Sequence, residues 1–83
     1  MNDADHINYV FKAQPGEMLI VAEPVQAVDM CRGGAVSYAL GDTLRVEFTA
    51  GRFIWCTDDF GRGVTFDREE AKGLDRPAPG PSR

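Results

Sequence analysis

The sequence lacks the segments that insert a protein into a membrane or direct it across one. No apolar run approaches the ~20 residues that a membrane-spanning helix needs. The first residues, MNDADH, have neither the basic nor the apolar region of a secretory signal. We therefore expect a cytoplasmic protein that does not enter a membrane. A chain of 83 residues is enough for one domain with a single small core.

Cysteine and histidine are scarce, which argues against a disulfide framework and against zinc. The two cysteines are Cys31 and Cys56, and His6 is the single histidine. Zinc sites normally include a closely spaced pair of ligands, and these three residues provide none. Without a secretory signal, two reduced and buried thiols are favoured over a disulfide. The sequence predicts no metal and no cofactor.

Positive charge is in deficit, because the formal net charge is −4 and the pI is near 4.7. Proteins that grip a phosphate backbone usually show a basic stripe. The arginines at positions 45, 52, 62 and 68 are instead interleaved with acidic residues. Direct nucleic-acid binding is therefore disfavoured, and the acidic surface favours a protein partner with a basic surface.

Motifs for catalysis and phosphate binding are also missing. Asp59-Phe60-Gly61 matches the metal-binding tripeptide of protein kinases, but the chain is too short to contain a kinase. Gly33-Gly34 and Gly61-Arg62-Gly63 lack the strand–loop–helix context and the lysine of a phosphate loop, so they predict turns. Since no nucleophile is paired with a base, we expect a protein that is not an enzyme.

The informative part of the chain is the stretch 41–66, which predicts three antiparallel strands joined by two turns. In residues 43–49, Leu44, Val46 and Phe48 alternate with polar residues, the pattern of a half-buried strand with these three side chains in the core. The next run, RFIWCT, is rich in aromatic and β-branched residues. The third strand follows the turn 58–63.

The loop of the first hairpin decides which side chains of the second strand face the core. A three-residue loop at 49–51 places Gly51 in a left-handed position and sets Phe48 opposite Arg52. That register sends two side chains inward, Ile54 and Cys56, and two outward, Phe53 and Trp55. A loop of two or four residues reverses the assignment. We favour the three-residue loop, because a two-residue type I′ turn forces a non-glycine residue to positive φ.

Further strands are predicted before this stretch. Residues 6–12 alternate and indicate an edge strand, and the apolar run 18–22 indicates a strand covered on both sides. Residues 25–30 fit either a strand or a helical turn. Residues 35–40 indicate a short strand in either of two registers.

The C-terminal part predicts one helix and a tail. Asp67 and Glu70 have the spacing of a capping box, which indicates a short helix through Lys72 that ends at Gly73. The Pro-rich segment 76–83 indicates a disordered tail. The predicted fold is therefore mainly β: a single small barrel domain over 1–75, with about five antiparallel strands and one short C-terminal helix.

The order of these features resembles an SH3-like barrel. Members of that family have a long excursion, a strand that opens with Gly-Asp, a strand with tryptophan, a glycine-bearing turn and a third strand. The counterparts here are residues 27–40, Gly41-Asp42, Trp55 and residues 61–66. The resemblance implies a small antiparallel barrel that binds a partner. It does not imply binding of proline motifs, because residues 25–30 carry no aromatic and Asp67 stands where proline is usual.

The candidate binding residues surround the aromatic strand and its turn. Interface hot spots favour tryptophan, other aromatic residues and arginine ringed by polar side chains. The residues that meet this description, with one acidic residue of the predicted helix, are Phe53, Trp55, Asp58, Asp59, Phe60, Arg62 and Glu70. In the alternative interpretation, Trp55 fills the barrel and Phe60 covers its end.

Two functions fit these observations. In size and charge the chain looks like the small accessory proteins of phages and mobile elements, including anti-CRISPR proteins. That resemblance implies an acidic inhibitor or modulator that docks on a host protein or nucleoprotein complex, with its carboxylates competing for basic surfaces. The alternative is a nucleic-acid-binding barrel in which the surface aromatics stack on bases and the arginines contact phosphates, with affinity that falls steeply with salt.

Overall fold

A computed structural model describes residues 3–77, which form one seven-stranded antiparallel sheet and two helices. The strands are β1 Met18–Val21, β2 Val25–Asp29, β3 Ala35–Tyr38, β4 Thr43–Ala50, β5 Phe53–Asp58, β6 Gly63–Asp67 and β7 Leu74–Asp75. An α-helix, α1, spans Asp3–Phe11, and a 3₁₀ turn, Glu70–Gly73, precedes β7. Most of the predicted tail, residues 78–83, lies outside the described residues.

The sheet is a curled half-barrel with the strand order β3-β2-β6-β5-β4-β1-β7. The mainly β class and the antiparallel meander of β4, β5 and β6 are confirmed. The expectation of about five strands is wrong, because the sheet has seven; one of them, the two-residue edge strand β7, which pairs with β1, was not predicted. The inner face of the sheet holds the core, in which Phe66, Leu19 and Leu44 are the largest fully buried side chains.

The first hairpin has a two-residue loop, so the predicted three-residue loop is wrong. Ala50 pairs with Phe53, and Gly51 takes the first loop position with a φ of 58°. Glycine at that position is the type II′ arrangement, which leaves the second loop residue at negative φ. Because only Gly51 has a positive φ, the objection that applies to a type I′ turn does not apply to this two-residue loop.

A β-bulge in β4 preserves the predicted orientation of β5. Val46 pairs with Cys56 but Phe48 pairs with Trp55, so Glu47 is an extra residue on β4. The extra residue reverses the faces on one side of the bulge. Ile54 and Cys56 are therefore buried as predicted, whereas Phe48 is 46% exposed and the prediction that it lies in the core is wrong. Phe53 and Trp55 face outward, as predicted.

The N-terminal segment is a helix, and the predicted edge strand at 6–12 is wrong. Ile7 and Val10 are three residues apart and both buried, so they share the face of α1 that packs on the core. Tyr9, which the alternating pattern placed beside Ile7, is 41% exposed. The apolar residues of this segment fit both strand alternation and helical spacing. The helix forms because it places Ile7 and Val10 in the core.

The remaining strands agree with the sequence in part. Residues 25–29 form a strand with Val25, Ala27 and Asp29 buried, which resolves the ambiguity there in favour of a strand. In β3, Tyr38 is buried and Val36 partly buried, one of the two predicted registers. β1 is not covered on both sides, since Leu19 and Val21 are buried while Met18 is 42% exposed.

The predicted capping box is not formed. The 3₁₀ turn begins after Glu69 without a side-chain cap, and the Glu70 carboxylate instead accepts a hydrogen bond from the Gln26 N–H at 2.9 Å. The Asp67 carboxylate accepts from the Glu69 N–H at 3.2 Å. The helical segment is therefore short, and it ends at Gly73 as predicted.

Candidate functional site

Three aromatic side chains form a cluster on the outer face of β4 and β5. The rings of Phe48 and Trp55 are stacked, with centroids 4.6 Å apart and an angle of 13° between their planes. Phe53 meets Trp55 edge to face at 6.1 Å. We call Phe48, Phe53 and Trp55 the aromatic cluster. Its rings stabilise one another, but Phe48 and Phe53 remain 46% and 37% exposed, so a large apolar surface faces solvent.

The aromatic cluster belongs to a row that crosses five strands. Directly opposed residues of an antiparallel pair project to the same face of a sheet. The pairs Phe48–Trp55, Trp55–Thr65, Thr65–Val28 and Val28–Ala35 link β4, β5, β6, β2 and β3 in that way. We call these five residues the outer row. Thr65, in the middle of the row, is only 6% exposed, whereas Val28 beyond it is 51% exposed, so apolar surface is present again between Thr65 and the β3 edge.

Ion pairs border the aromatic cluster and neutralise the nearest arginines. Arg45 pairs with Glu47 at 3.2 Å, and Arg52 pairs with Asp67 at 3.0 Å. Hydrogen bonds from the Thr57 hydroxyl and from Arg45 lower the pKa of Glu47. Hydrogen bonds from the Arg52 guanidinium and the Glu69 N–H lower the pKa of Asp67. Both carboxylates are therefore charged at neutral pH, and neither arginine is left with an uncompensated charge.

A shallow depression of about 240 Å³ lies beside the aromatic cluster. Apolar side chains of Val28, Ala35 and Phe53 line it together with the carboxylates of Asp67 and Glu70. An apolar floor with acidic groups at its margin suits an apolar side chain that is followed or preceded by a basic one. The depression thus joins the apolar row to the acidic part of the surface.

The turn between β5 and β6 holds the other predicted residues, and Asp58 has a structural position there. Asp58 is only 7% exposed. One carboxylate oxygen accepts hydrogen bonds from the Phe60 and Arg62 N–H groups, both at 2.9 Å. The other accepts from the Tyr38 hydroxyl at 2.8 Å and lies 3.3 Å from Arg62 Nε. Asp58 therefore orders the turn rather than presenting its charge to solvent.

The predicted set is thus divided between two places. Phe53 and Trp55 lie in the aromatic cluster, and Glu70 lines the depression beside it. Phe60 is 86% exposed in the turn at the other end of β5, and Asp59 is also exposed in that turn. Among the ring contacts within residues 3–77, none involves Phe60. The structure does not bring Phe60 to the aromatic cluster.

Four residues of the outer row were missed by the sequence interpretation: Val28, Ala35, Phe48 and Thr65. The alternation of buried residues in 25–29 contains the signal for an outward Val28, once that segment is taken as a strand. Phe48 had no comparable signal, because only the bulge at Glu47 turns it outward.

The residues considered for metal or thiol chemistry lie in separate parts of the fold. His6 is in α1, where its Nε2 is 2.6 Å from the Leu74 carbonyl oxygen. Cys56 is buried and Cys31 is exposed, so the prediction of two buried thiols is wrong for Cys31. Burial, followed by the charge of Glu47, raises the pKa of Cys56 to about 12. Within the described part of the chain, no three His, Cys, Asp or Glu side chains are grouped as metal ligands.

Comparisons with protein families, with curated proteins and with solved structures gave no match to this chain. Over residues 3–77, no helix has both the length and the apolar character needed to cross a bilayer.

Proposed function

We propose that this protein is a non-enzymatic binding module that docks on a protein partner through the outer row and the aromatic cluster. The observation that carries the proposal is the stacked Phe48–Trp55 pair, which is built on rigid strands and left open to solvent. Aromatic anchors with polar surroundings are the usual centre of a protein interface.

The charges around the aromatic cluster support a partner with a basic surface. The depression presents the Glu70 carboxylate beside the Arg52–Asp67 ion pair, and the net charge of the chain is −4. A partner that offers an apolar side chain next to lysine or arginine would match both features. In the phage-accessory interpretation, such docking makes the protein an inhibitor or modulator of a host protein or nucleoprotein complex.

Nucleic-acid binding is the weaker candidate because the nearest cations are already engaged. Arg45 and Arg52 flank the aromatic cluster, and each is paired with a carboxylate. A phosphate that approached these arginines would have to displace Glu47 or Asp67, and it would meet the negative field of the chain.

The test is quantitative affinity capture with single variants of the outer face. Tagged wild-type protein, Phe48→Thr and Trp55→Thr are incubated with lysate treated with nuclease, and captured proteins are measured by mass spectrometry. Threonine suits a strand, so the fold is retained, as circular dichroism would verify. We expect the specific partner to be reduced by about 30-fold or more, the size of a hot-spot loss of about 2 kcal/mol.

Tyr9→Ser is the matched control, because Tyr9 is 41% exposed on α1 and outside the outer row. The proposal requires that this variant capture the same partner as the wild type. Capture that is equal for Phe48→Thr, Trp55→Thr and wild type would overturn it, as would capture that disappears with nuclease.

A further inference from the structure

The two edge strands of the sheet, β3 and β7, differ in how well they are protected from pairing with a strand of another molecule. The β7 edge has only two residues, contains Asp75 and is followed by Pro77. His6 of α1 contacts the Leu74 carbonyl oxygen, so the helix adds a contact at that edge. Short length, charge, proline and a covering element are the devices by which sheets avoid pairing at an edge. The β7 edge is therefore protected.

The β3 edge lacks the charged side chain and the proline that protect β7, although at four residues it is also short. Its residues, Ala35–Tyr38, include no charged side chain and no proline, and the pairing with β2 runs without a bulge. Ala35 and Ser37 are exposed. Leu40, just beyond the strand, is 70% exposed. An open, uncharged edge next to an exposed leucine is a template for another strand.

The pairing with β2 shows which backbone groups of β3 point away from the sheet. The Asp29 N–H donates to the Gly34 carbonyl, so these two residues form a hydrogen-bonded pair. Hydrogen-bonded and non-hydrogen-bonded pairs alternate along an antiparallel ladder. Val36 and Tyr38 therefore bond to β2, and the N–H and C=O groups of Ala35 and Ser37 point outward. Ala39 also points outward, but its groups are bonded to Asp42.

We propose that β3 pairs with β3 of a second copy of this chain, across a twofold axis at Val36. In that antiparallel register, Ala35 of each copy is opposite Ser37 of the other. The two pairs use all the outward backbone groups of the edge, since each hydrogen-bonded pair exchanges both of its N–H···O=C bonds. The edge is thus complementary to itself, as a twofold interface requires. No charged side chain of one strand meets a like charge of the other.

The pairing doubles the surface proposed to bind a partner, although the inference does not depend on that function. Directly opposed residues of an antiparallel pair lie on the same face. The two outer rows therefore lie on the same side of one continuous sheet and present two aromatic clusters together. An interface of two four-residue strands is smaller than the ~800 Å² per partner of a standard complex, so we expect a weak, reversible dimer.

Sedimentation equilibrium of the tagless protein tests the dimer. A weak dimer becomes populated as the protein concentration rises from about 10 µM to about 1 mM. Over this range the mean mass should rise from 9.1 kDa toward twice that value. Ser37→Pro should keep the mass at 9.1 kDa at every concentration. Proline removes an N–H that points away from β2, so the fold retains its own ladder. Ser37→Thr keeps this N–H and should dimerise like the wild type.

Hydrogen exchange of the wild type gives a second readout that needs no variant. The Ala35 and Ser37 amides should exchange several-fold more slowly at high protein concentration, while the Val36 amide changes less. A wild-type mass that stays at 9.1 kDa throughout, or a Ser37→Pro mass curve equal to that of the wild type, would disprove the pairing. Trp55→Thr should leave the mass curve unchanged, so loss of partner docking and loss of the dimer are separable.

Discussion

Asp58 is the residue whose replacement most directly tests how the turn at the end of β5 is held. It is buried, it accepts hydrogen bonds from two N–H groups of the turn, and it accepts a third from Tyr38 of the edge strand β3. No buried side-chain N or O atom within residues 3–77 lacks a hydrogen-bond partner, and Asp58→Ala would create one at the Tyr38 hydroxyl. The carboxylate thus joins two elements that are 20 residues apart in the sequence.

The expected cost follows from these contacts. Leaving a buried hydroxyl unsatisfied costs about 1–3 kcal/mol, and each of the two turn N–H groups that bonds to water instead of the carboxylate loses about 1 kcal/mol. Asp58→Ala should therefore lower the free energy of unfolding by about 3–5 kcal/mol. A domain of this size has about 4–12 kcal/mol in total, so the variant is close to the limit of folding. In a thermal scan the midpoint should fall by about 12–40 °C.

Two milder variants separate the contributions. Tyr38→Phe removes only the hydroxyl and should cost about 1–2 kcal/mol. Asp58→Asn keeps one carbonyl oxygen for the two turn N–H groups and should cost less than alanine. In the double variant Asp58→Ala/Tyr38→Phe, the loss should be smaller than the sum of the single losses by about 1 kcal/mol or more, because the two side chains share one hydrogen bond.

The pH dependence gives an independent measure of the same carboxylate. Burial alone raises the pKa of Asp58, but hydrogen bonds from the Arg62 N–H, the Tyr38 hydroxyl and the Phe60 N–H outweigh it and hold the pKa below the ordinary 3.8. A lowered pKa in the folded state means that the stabilisation is complete above 3.8 and is lost as the pH falls toward the folded-state value. Asp58→Asn should lose stability less steeply than the wild type below that pH.

Urea unfolding followed by the fluorescence of the single tryptophan, together with circular dichroism, measures these free energies. A cost below about 1 kcal/mol for Asp58→Ala would show that water replaces the carboxylate without loss and would refute the argument. Equal acid sensitivity of Asp58→Asn and wild type would refute the electrostatic part alone.

Two further predictions concern packing and thiol reactivity. Gly73→Ala should destabilise the fold by about 1–3 kcal/mol in urea unfolding, because the added Cβ would collide with the Val25 side chain and lie 2.9 Å from the Glu23 carbonyl oxygen. Gly63→Ala meets nothing within 4 Å and serves as its control, so equal losses would contradict the steric reason. In the native protein, a disulfide reagent should titrate only exposed Cys31, and Cys56, whose pKa burial raises to about 12, should react after unfolding. If Cys31 and Cys56 reacted at equal rates in the native protein, strand β5 would have to separate readily from its neighbours.

The predictions that succeeded concern segments whose local sequence pattern is compatible with only one secondary structure. The meander of β4, β5 and β6 follows from alternation and glycine-rich turns, and β6 needed no long-range information. For residues 25–30 the sequence allowed a strand or a helical turn, and the strand forms because β6 and β3 pair with it on either side.

The failures occurred where two local patterns were both acceptable. Residues 3–11 carry an alternating set and a helical set of apolar side chains, and the helix is chosen because Ile7 and Val10 fill the inner face of the sheet. Glu70 has the spacing for a cap, yet it bonds to Gln26, which is 44 residues away in the sequence. Such choices depend on partners that a window of neighbouring residues does not contain.

The sequence by itself determined the mainly β class and the order of three strands and two turns in the stretch 41–66. Only the tertiary structure decided that Phe48 joins Trp55 on the outside, that Asp58 is internal and that β3 is an open edge. The physical reason is that the alternation of side chains along a strand predicts which of them face the core only as far as the next bulge or register shift. Those are fixed by backbone hydrogen bonds to other strands, which the local sequence does not encode.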